Sequence, residues 1–187
     1  MPDHDAELML RAARGDESAF RQLFDHHYPR AVNIAYRSLG DMDLAEDVAM
    51  DAFANIYESR SSYKPRAKFS TYLYRVVINL CLNAAKRRRT VRQEPLNEST
   101  VGASADKDPA TQAQRAETSR QVQQAILSLP ANQRIALVLT QYDQMSYASA
   151  AEAMKVSVKA LESLLHRAKR NLRIALADLV PRKSDVQ

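Results

Sequence analysis

Between residues 63 and 92 the chain alternates rings with cations. Tyr63, Phe69, Tyr72 and Tyr74 stand among Lys64, Arg66 and Lys68, and the segment closes on Lys86, Arg87, Arg88, Arg89 and Arg92. Aromatic faces stack on bases while lysine and arginine pair with phosphates, so this mixture suits single-stranded nucleic acid. Asn79 and Asn83 lie four positions apart, on one face of any helix there. An amide both donates to and accepts from a base edge. A tyrosine core with a solvated basic helix end is the competing reading.

A second constellation is acidic. Asp43, Asp47 and Asp51 repeat every fourth residue, with Glu46 beside them. Like charges at that spacing each cost a few tenths of a kcal/mol in a helix. A helix N-terminus offsets this at Asp43 and partly at Glu46, but not at Asp51. The stripe suggests a basic protein partner; a solvated face is the alternative. No histidine at helical spacing completes a carboxylate metal site, so neither metal nor cofactor is expected.

The third is the stretch "MSYASAAEAMKVSVKALESLLHRAKRNL", residues 145–172. A short helix (about Ser146 to Met154) meets a tight turn at Lys155 and Val156, and Ser157 caps a longer helix. Leu161, Leu165, Ala168, Leu172, Ala175 and Leu179 recur at intervals of four and three, drawing one apolar stripe. Arg167, Lys169, Arg170 and Arg173 lie off it. This is the layout of a helix-turn-helix, whose second helix enters the major groove of DNA. An ordinary αα-hairpin in a bundle has the same pattern.

These groups must be carried by helices. The chain has 187 residues, 45% hydrophobic, with 3 glycines and 7 prolines, which argues against a turn-rich β architecture. Helices are expected over about 5–14, 17–39 (with Pro29 inside), 44–59 with Asp41 as N-cap, and 69–89. Residues 1–60 hold 12 acidic and 6 basic side chains; residues 61–93 hold 9 basic and none acidic. Such segregation within a net charge of +5 points to different surfaces for different partners. After Arg92 the composition turns to Ser, Thr, Asp, Glu, Gln and Pro, reading as a flexible linker with an r.m.s. span of roughly 25–30 Å. The expectation is an all-α protein of two small helical domains, 1–92 and 117–187, joined by a linker over 93–116. The C-terminal domain contains the helix-turn-helix.

Several classes drop out. No Ser/His/Asp set or Walker-type glycine loop is present, and His26 and His27 stand without a metal-ligand partner, so the chain does not read as an enzyme. The single cysteine, Cys81, lies in the apolar run "VVINLCL" and reads as a small buried hydrophobe. No run reaches ~18 apolar residues and the N-terminus lacks an h-region, so a cytoplasmic protein without a membrane segment is expected.

In this order the pieces resemble a sigma factor of the extracytoplasmic-function (ECF) type, the two-domain class of the bacterial sigma-70 family. "LAEDVAMDAFANIYES" resembles the core-binding helix, and "KFSTYLYRVVINLCLNAAKRRR" the helix that melts and reads the −10 element. "ILSLPANQRIALVLTQYDQMSYASAAEAMKVSVKALESLLHRAKRNLR" resembles the domain that binds the −35 element. The resemblance implies that Asp43, Glu46, Asp47 and Asp51 face bacterial core RNA polymerase. It implies −10 contacts from Tyr63, Lys64, Arg66, Lys68, Phe69, Tyr72, Asn79, Asn83, Lys86, Arg87, Arg88 and Arg89. Ser157, Lys159, Glu162, Ser163, His166, Arg167 and Lys169 fall on the −35 side. Promoter DNA and an anti-sigma factor are the further partners it implies.

The chain departs from the family pattern at four places. Tyr72 stands where a tryptophan is usual. Glu162 stands where many relatives carry Lys or Arg, and a glutamate accepts from cytosine N4, which would alter −35 preference. Lys155 replaces the usual turn glycine and needs left-handed backbone there if the turn is kept. Ala160 and Leu164 are non-polar where polar residues are common. The competing function is a stand-alone helix-turn-helix transcriptional regulator, which accounts for residues 145–172 but leaves the acidic stripe and the aromatic-basic segment idle.

Overall fold

The computed structural model describes residues 4–91 and 109–177, and among these the chain is helical with no strand. The first unit comprises α1 (His4–Ala13), α2 (Glu17–Leu39), α3 (Met42–Glu58), a 3-10 turn (Arg60–Ser62) and α4 (Phe69–Val91). The second comprises α5 (Pro109–Ser128), α6 (Ala131–Leu137) with a π-helical turn (Val138–Tyr142), α7 (Tyr147–Met154) and α8 (Val158–Ala175). The expected linker lies mostly outside the described residues. Its last part is helical, because α5 begins at Pro109, where a missing N–H costs nothing in the first turn.

Local chemistry sets the helix ends. Asp16 Oδ1 accepts from Ala19 N at 3.1 Å, and bonds from Ser18, Arg11 and Ala19 pull the Asp16 pKa down to about 2. Asp41 Oδ1 accepts from Leu44 N at 3.0 Å and starts α3 as expected. Gly40, at φ 73°, closes α2 in left-handed backbone with its N–H on the Tyr36 carbonyl. Pro29 does not divide α2, which runs 23 residues without a break. Pro29 and Asp25 are both exposed, so the carbonyl left without a helical donor faces water.

The apolar periodicity becomes the core. Leu23, Ile34, Phe53, Ile56, Leu73 and Ile78 are fully buried where α1 to α4 meet. On α8 the stripe is buried at Leu161, Leu165 and Ala168 and half-buried at Leu172. Ala175 is exposed, and Leu179 lies outside the described residues.

The two units are not separate. Ile135, Val138, Leu139, Ala150, Ala151 and Ala153 of the second join the same apolar cluster as Leu73 and Val77 of the first. α7 lies along α4, where its three buried alanines permit close backbone approach, and the end of α6 meets α2. A smaller cluster of Ile126, Leu129, Leu137 and Ala168 belongs to the second unit alone. Helix α4 thus has apolar contacts on both sides, which is why "VVINLCL" is nearly continuous rather than periodic.

Candidate nucleic-acid interface

The segment between α3 and α4 is tied down by short-range bonds. Ser59 Oγ donates to the Asn55 carbonyl at 2.7 Å, and Ser62 Oγ to the Ser59 carbonyl at 2.8 Å. Arg60 donates to the Tyr57 carbonyl at 2.7 Å while its guanidinium sits 3.9 Å from the Tyr57 ring centroid. The chain then passes Tyr63, Lys64 and Arg66 over the first turns of α4, enclosing a cavity of about 400 Å3 with Thr71, Tyr72 and Arg75. That volume lies in the ~300–1,000 Å3 range of small-ligand clefts. The Tyr63 and Tyr72 rings are 5.5 Å apart, and Arg75 sits 5.3 Å from the Tyr72 centroid. Rings and three cations around one cavity fit a base with its phosphate.

Further along α4, Asn79 and Asn83 are exposed one turn apart, and Lys86 and Arg87 are exposed beyond them. Lys64, Arg66 and Lys68 are exposed as well. Two expected contacts are placed otherwise. Phe69 is fully buried, its centroid 5.3 Å from that of His27 and 6.4 Å from that of Tyr72. It anchors the start of α4 and presents no face to a base. Arg88 is half-buried and turns back to the Asp41 carboxylate and the Leu39 carbonyl. Both the Leu44 N–H and that guanidinium hold the Asp41 carboxyl below the usual carboxylate range. Arg88 therefore braces the α2–α3 corner. The Arg89 side chain lies outside the described residues.

On α3, Asp43, Glu46, Asp47 and Asp51 are all exposed, and none has an ion-pair partner among the described residues. Met42 and Met50 flank them, 45% and 51% exposed. Sequence reasoning passed over these two methionines, although Met50 falls off the buried periodicity of α3. Flexible thioethers and a row of carboxylates thus share one exposed face of α3.

In the second unit the helix-turn-helix geometry is complete. Ser146 caps α7 through Ser149 N at 3.1 Å, and Ser157 caps α8 through Ala160 N at 3.1 Å. Lys155 takes φ 55° and ψ 42°, the left-handed conformation expected of that turn. The Val156 N–H bonds the Ala151 carbonyl at 2.9 Å, and its side chain packs at the corner. Lys159, Glu162, Ser163, His166, Arg167 and Lys169 are all exposed on α8. The Ser157 hydroxyl is also exposed but serves the cap.

One set of residues had no local signal. Arg30 Nε donates to Asp143 Oδ1 at 2.6 Å and Arg30 Nη2 to the Asp143 carbonyl at 3.0 Å. Arg37 sits 4.4 Å from the Tyr142 centroid, and Gln123 Nε2 donates to Tyr36 Oη at 3.2 Å. These contacts join α2 to the second unit across gaps of roughly a hundred residues.

Residues 23–91 match the family described as sigma-70 region 2, and residues 119–172 match sigma-70 region 4. The ECF RNA polymerase sigma factor SigM of Mycobacterium tuberculosis is 30% identical, over 90% of this chain and 82% of its own length. The chain belongs to the ECF sigma factors of the sigma-70 family. A second relative of this sigma factor is the ECF RNA polymerase sigma factor SigW of Bacillus subtilis, 29% identical over 92% of this chain and all of its own. Among solved structures, CnrH in complex with the cytosolic domain of CnrY is 28% identical, with a TM-score of 0.69 over 94% of this chain and 99% of that one. Region 2 ends with α4, and region 4 contains both helix-turn-helix helices. No helix of the described residues is long and apolar enough to cross a membrane.

Proposed function

We propose that this ECF sigma factor docks on core RNA polymerase, brings it to specific promoters and helps open the −10 element. The observation that carries the reading is the cavity between the α3–α4 segment and α4, where Tyr63 and Tyr72 lie 5.5 Å apart beside Lys64, Arg66 and Arg75. A base unstacked from the duplex would lie in the cavity against these rings, at an unstacking cost of a few kcal/mol, with its phosphates on the cations. Asn79 and Asn83 would meet the next bases of that strand, and Lys86 and Arg87 its backbone. The α3 carboxylates with Met42 and Met50 form the polymerase-facing surface. Helix α8 enters the −35 major groove through Lys159, Glu162, Ser163, His166, Arg167 and Lys169. Bond-making chemistry belongs to the polymerase.

An anti-sigma factor is a further partner, a reading supported by the neighbour solved with the cytosolic domain of a second protein. A stand-alone regulator has no use for the α3 face or the cavity. The test is reconstitution with bacterial core RNA polymerase, scored for a stoichiometric complex and promoter-dependent transcription. Specific duplex binding by the chain alone, with no complex, would overturn the reading.

A further inference from the structure

Four arginines are half-buried among the described residues: Arg60, Arg75, Arg88 and Arg134. Three of them donate to an oxygen. Arg60 reaches the Tyr57 carbonyl, Arg88 the Asp41 carboxylate and the Leu39 carbonyl, and Arg134 the Leu127 carbonyl. Arg75 differs: among the described residues it has neither an oxygen acceptor nor an ion pair, and its guanidinium carbon lies 5.3 Å from the centroid of the Tyr72 ring. A guanidinium carries five N–H donors in a fixed fork and keeps its charge, so withdrawing it from water without an acceptor is unfavourable.

That fork lines the cavity of about 400 Å3 described above. Of the three cations there, Lys64 and Arg66 are exposed, which suits phosphates that stay in water, while Arg75 is half-buried beside the rings, where a base would lie. Glu152 of α7 also lines the cavity but forms no ion pair with Arg75, so the fork remains open to a ligand. Along α4, Arg75, Asn79 and Asn83 follow one another at about 6 Å intervals on one edge of the helix, and Arg75 is the member of that row that lines the cavity.

We propose that Arg75 reads the base that enters this cavity and selects guanine or cytosine there through a bidentate pair of hydrogen bonds. The fork needs two adjacent acceptors on one base edge. Guanine offers O6 and N7, and cytosine offers O2 and N3. Adenine carries an amine beside N7 and thymine an N–H beside O4, so each sets a donor against a donor. Contact with the Tyr72 ring restrains the guanidinium, and a pre-organised fork loses less freedom for each hydrogen bond it forms. The inference rests on the reading of the cavity as the place of an unstacked −10 base, and adds to it the residue that chooses the base.

The test uses holoenzyme reconstituted from the full chain and core polymerase, and scores open-complex formation on a promoter library randomised through the −10 element. The native chain should accept guanine or cytosine at one position about tenfold better than adenine or thymine, and the library itself tells the two apart. Arg75→Gln should abolish that preference and leave the other positions unchanged. Arg75→Lys keeps the charge without the fork and should lose the preference too. Should Arg75→Gln fail to fold, Arg75→Lys decides by the same criteria. An unchanged preference, or uniform weakening across all sequences, overturns the proposal.

An abasic nucleotide at the preferred position supplies a second arm. It should erase the difference between the native chain and Arg75→Gln; a difference that persists marks a phosphate contact and overturns base reading. Tyr72→Ala separates this proposal from the reading beneath it. If Tyr72→Ala leaves the opening of every sequence unchanged, the cavity is not the strand site and both fall. If Tyr72→Ala impairs opening while the Arg75 variants keep the native preference, the cavity stands and Arg75 is not its reader.

Discussion

His27 Nε2 lies 2.9 Å from Asp5 Oδ2, tying α1 to the middle of α2 around a nearly buried imidazole. Burial lowers the His27 pKa from its ordinary 6.5, and the hydrogen bond to Asp5 only partly opposes this. The unfolded chain therefore takes up a proton near pH 6.5 that the folded chain takes up only at lower pH. Stability is full above that value and is lost as pH falls through it toward the folded pKa. Urea midpoints should be flat above pH 7 and fall as the pH drops below about 6.5. His27→Gln should remove that step, and Asp5→Asn should steepen it by withdrawing the group that favours the charged ring.

Asp41 serves two partners, Leu44 N and Arg88. Asp41→Ala should cost about 1–2 kcal/mol in thermal unfolding, through the lost cap and an Arg88 left without its carboxylate. Asp41→Asn keeps a capping oxygen and should cost less. Because Arg88 is a brace, Arg88→Ala should lower stability while leaving the salt dependence of strand binding nearly intact. Arg87→Ala should instead reduce the log–log salt slope by about 1 without destabilising the fold.

The turn of the helix-turn-helix carries strain at Lys155, held at φ 55°. Lys155→Gly should stabilise the chain by roughly 0.5–1 kcal/mol, since glycine takes this conformation without a Cβ clash. Lys155→Val should destabilise it by more than that. Gly40 is the opposite case. A Cβ there meets the Leu127 side chain at 2.6 Å and φ is 73°, so Gly40→Ala should lower the melting temperature and loosen the contact between α2 and α5.

The α3 face separates binding from stability. Asp47→Lys with Asp51→Lys should abolish the complex with core polymerase in size-exclusion chromatography. Its melting temperature should stay level or rise slightly, because like charges spaced four apart each cost about 0.2–0.5 kcal/mol. Normal polymerase binding by this variant would remove the α3 stripe from the interface.

Glu162 is exposed on α8 where it can accept a hydrogen bond from cytosine N4. Selection of promoters from a randomised −35 library should yield a preferred C·G pair that Glu162→Ala no longer discriminates. A loss of about 1–3 kcal/mol at that one position is expected, with little change elsewhere.

What the sequence determined by itself was local. Asp41 and Ser157 cap helices through atoms three residues away, and the left-handed turn at Lys155 follows from its place between two helices. The candidate surfaces on α3 and α8 were legible for the same reason: charged side chains off an apolar stripe have nowhere to go but water. The fate of residues at element boundaries was not legible. Phe69 and Tyr72 are both rings in an aromatic-basic run, and only the approach of α2, with His27, decides that Phe69 is buried while Tyr72 lines the cavity. Arg88 reads as one cation among four until the α2–α3 corner brings Asp41 to it. The largest omission was the closure of region 4 onto α4. Its chief polar contact joins Arg30 to Asp143, 113 positions apart, and its apolar part uses alanines that look suited only to a helix-turn-helix. Periodicity reports which face of a helix is buried and carries no information about which distant segment covers it, so that choice belongs to the tertiary structure alone.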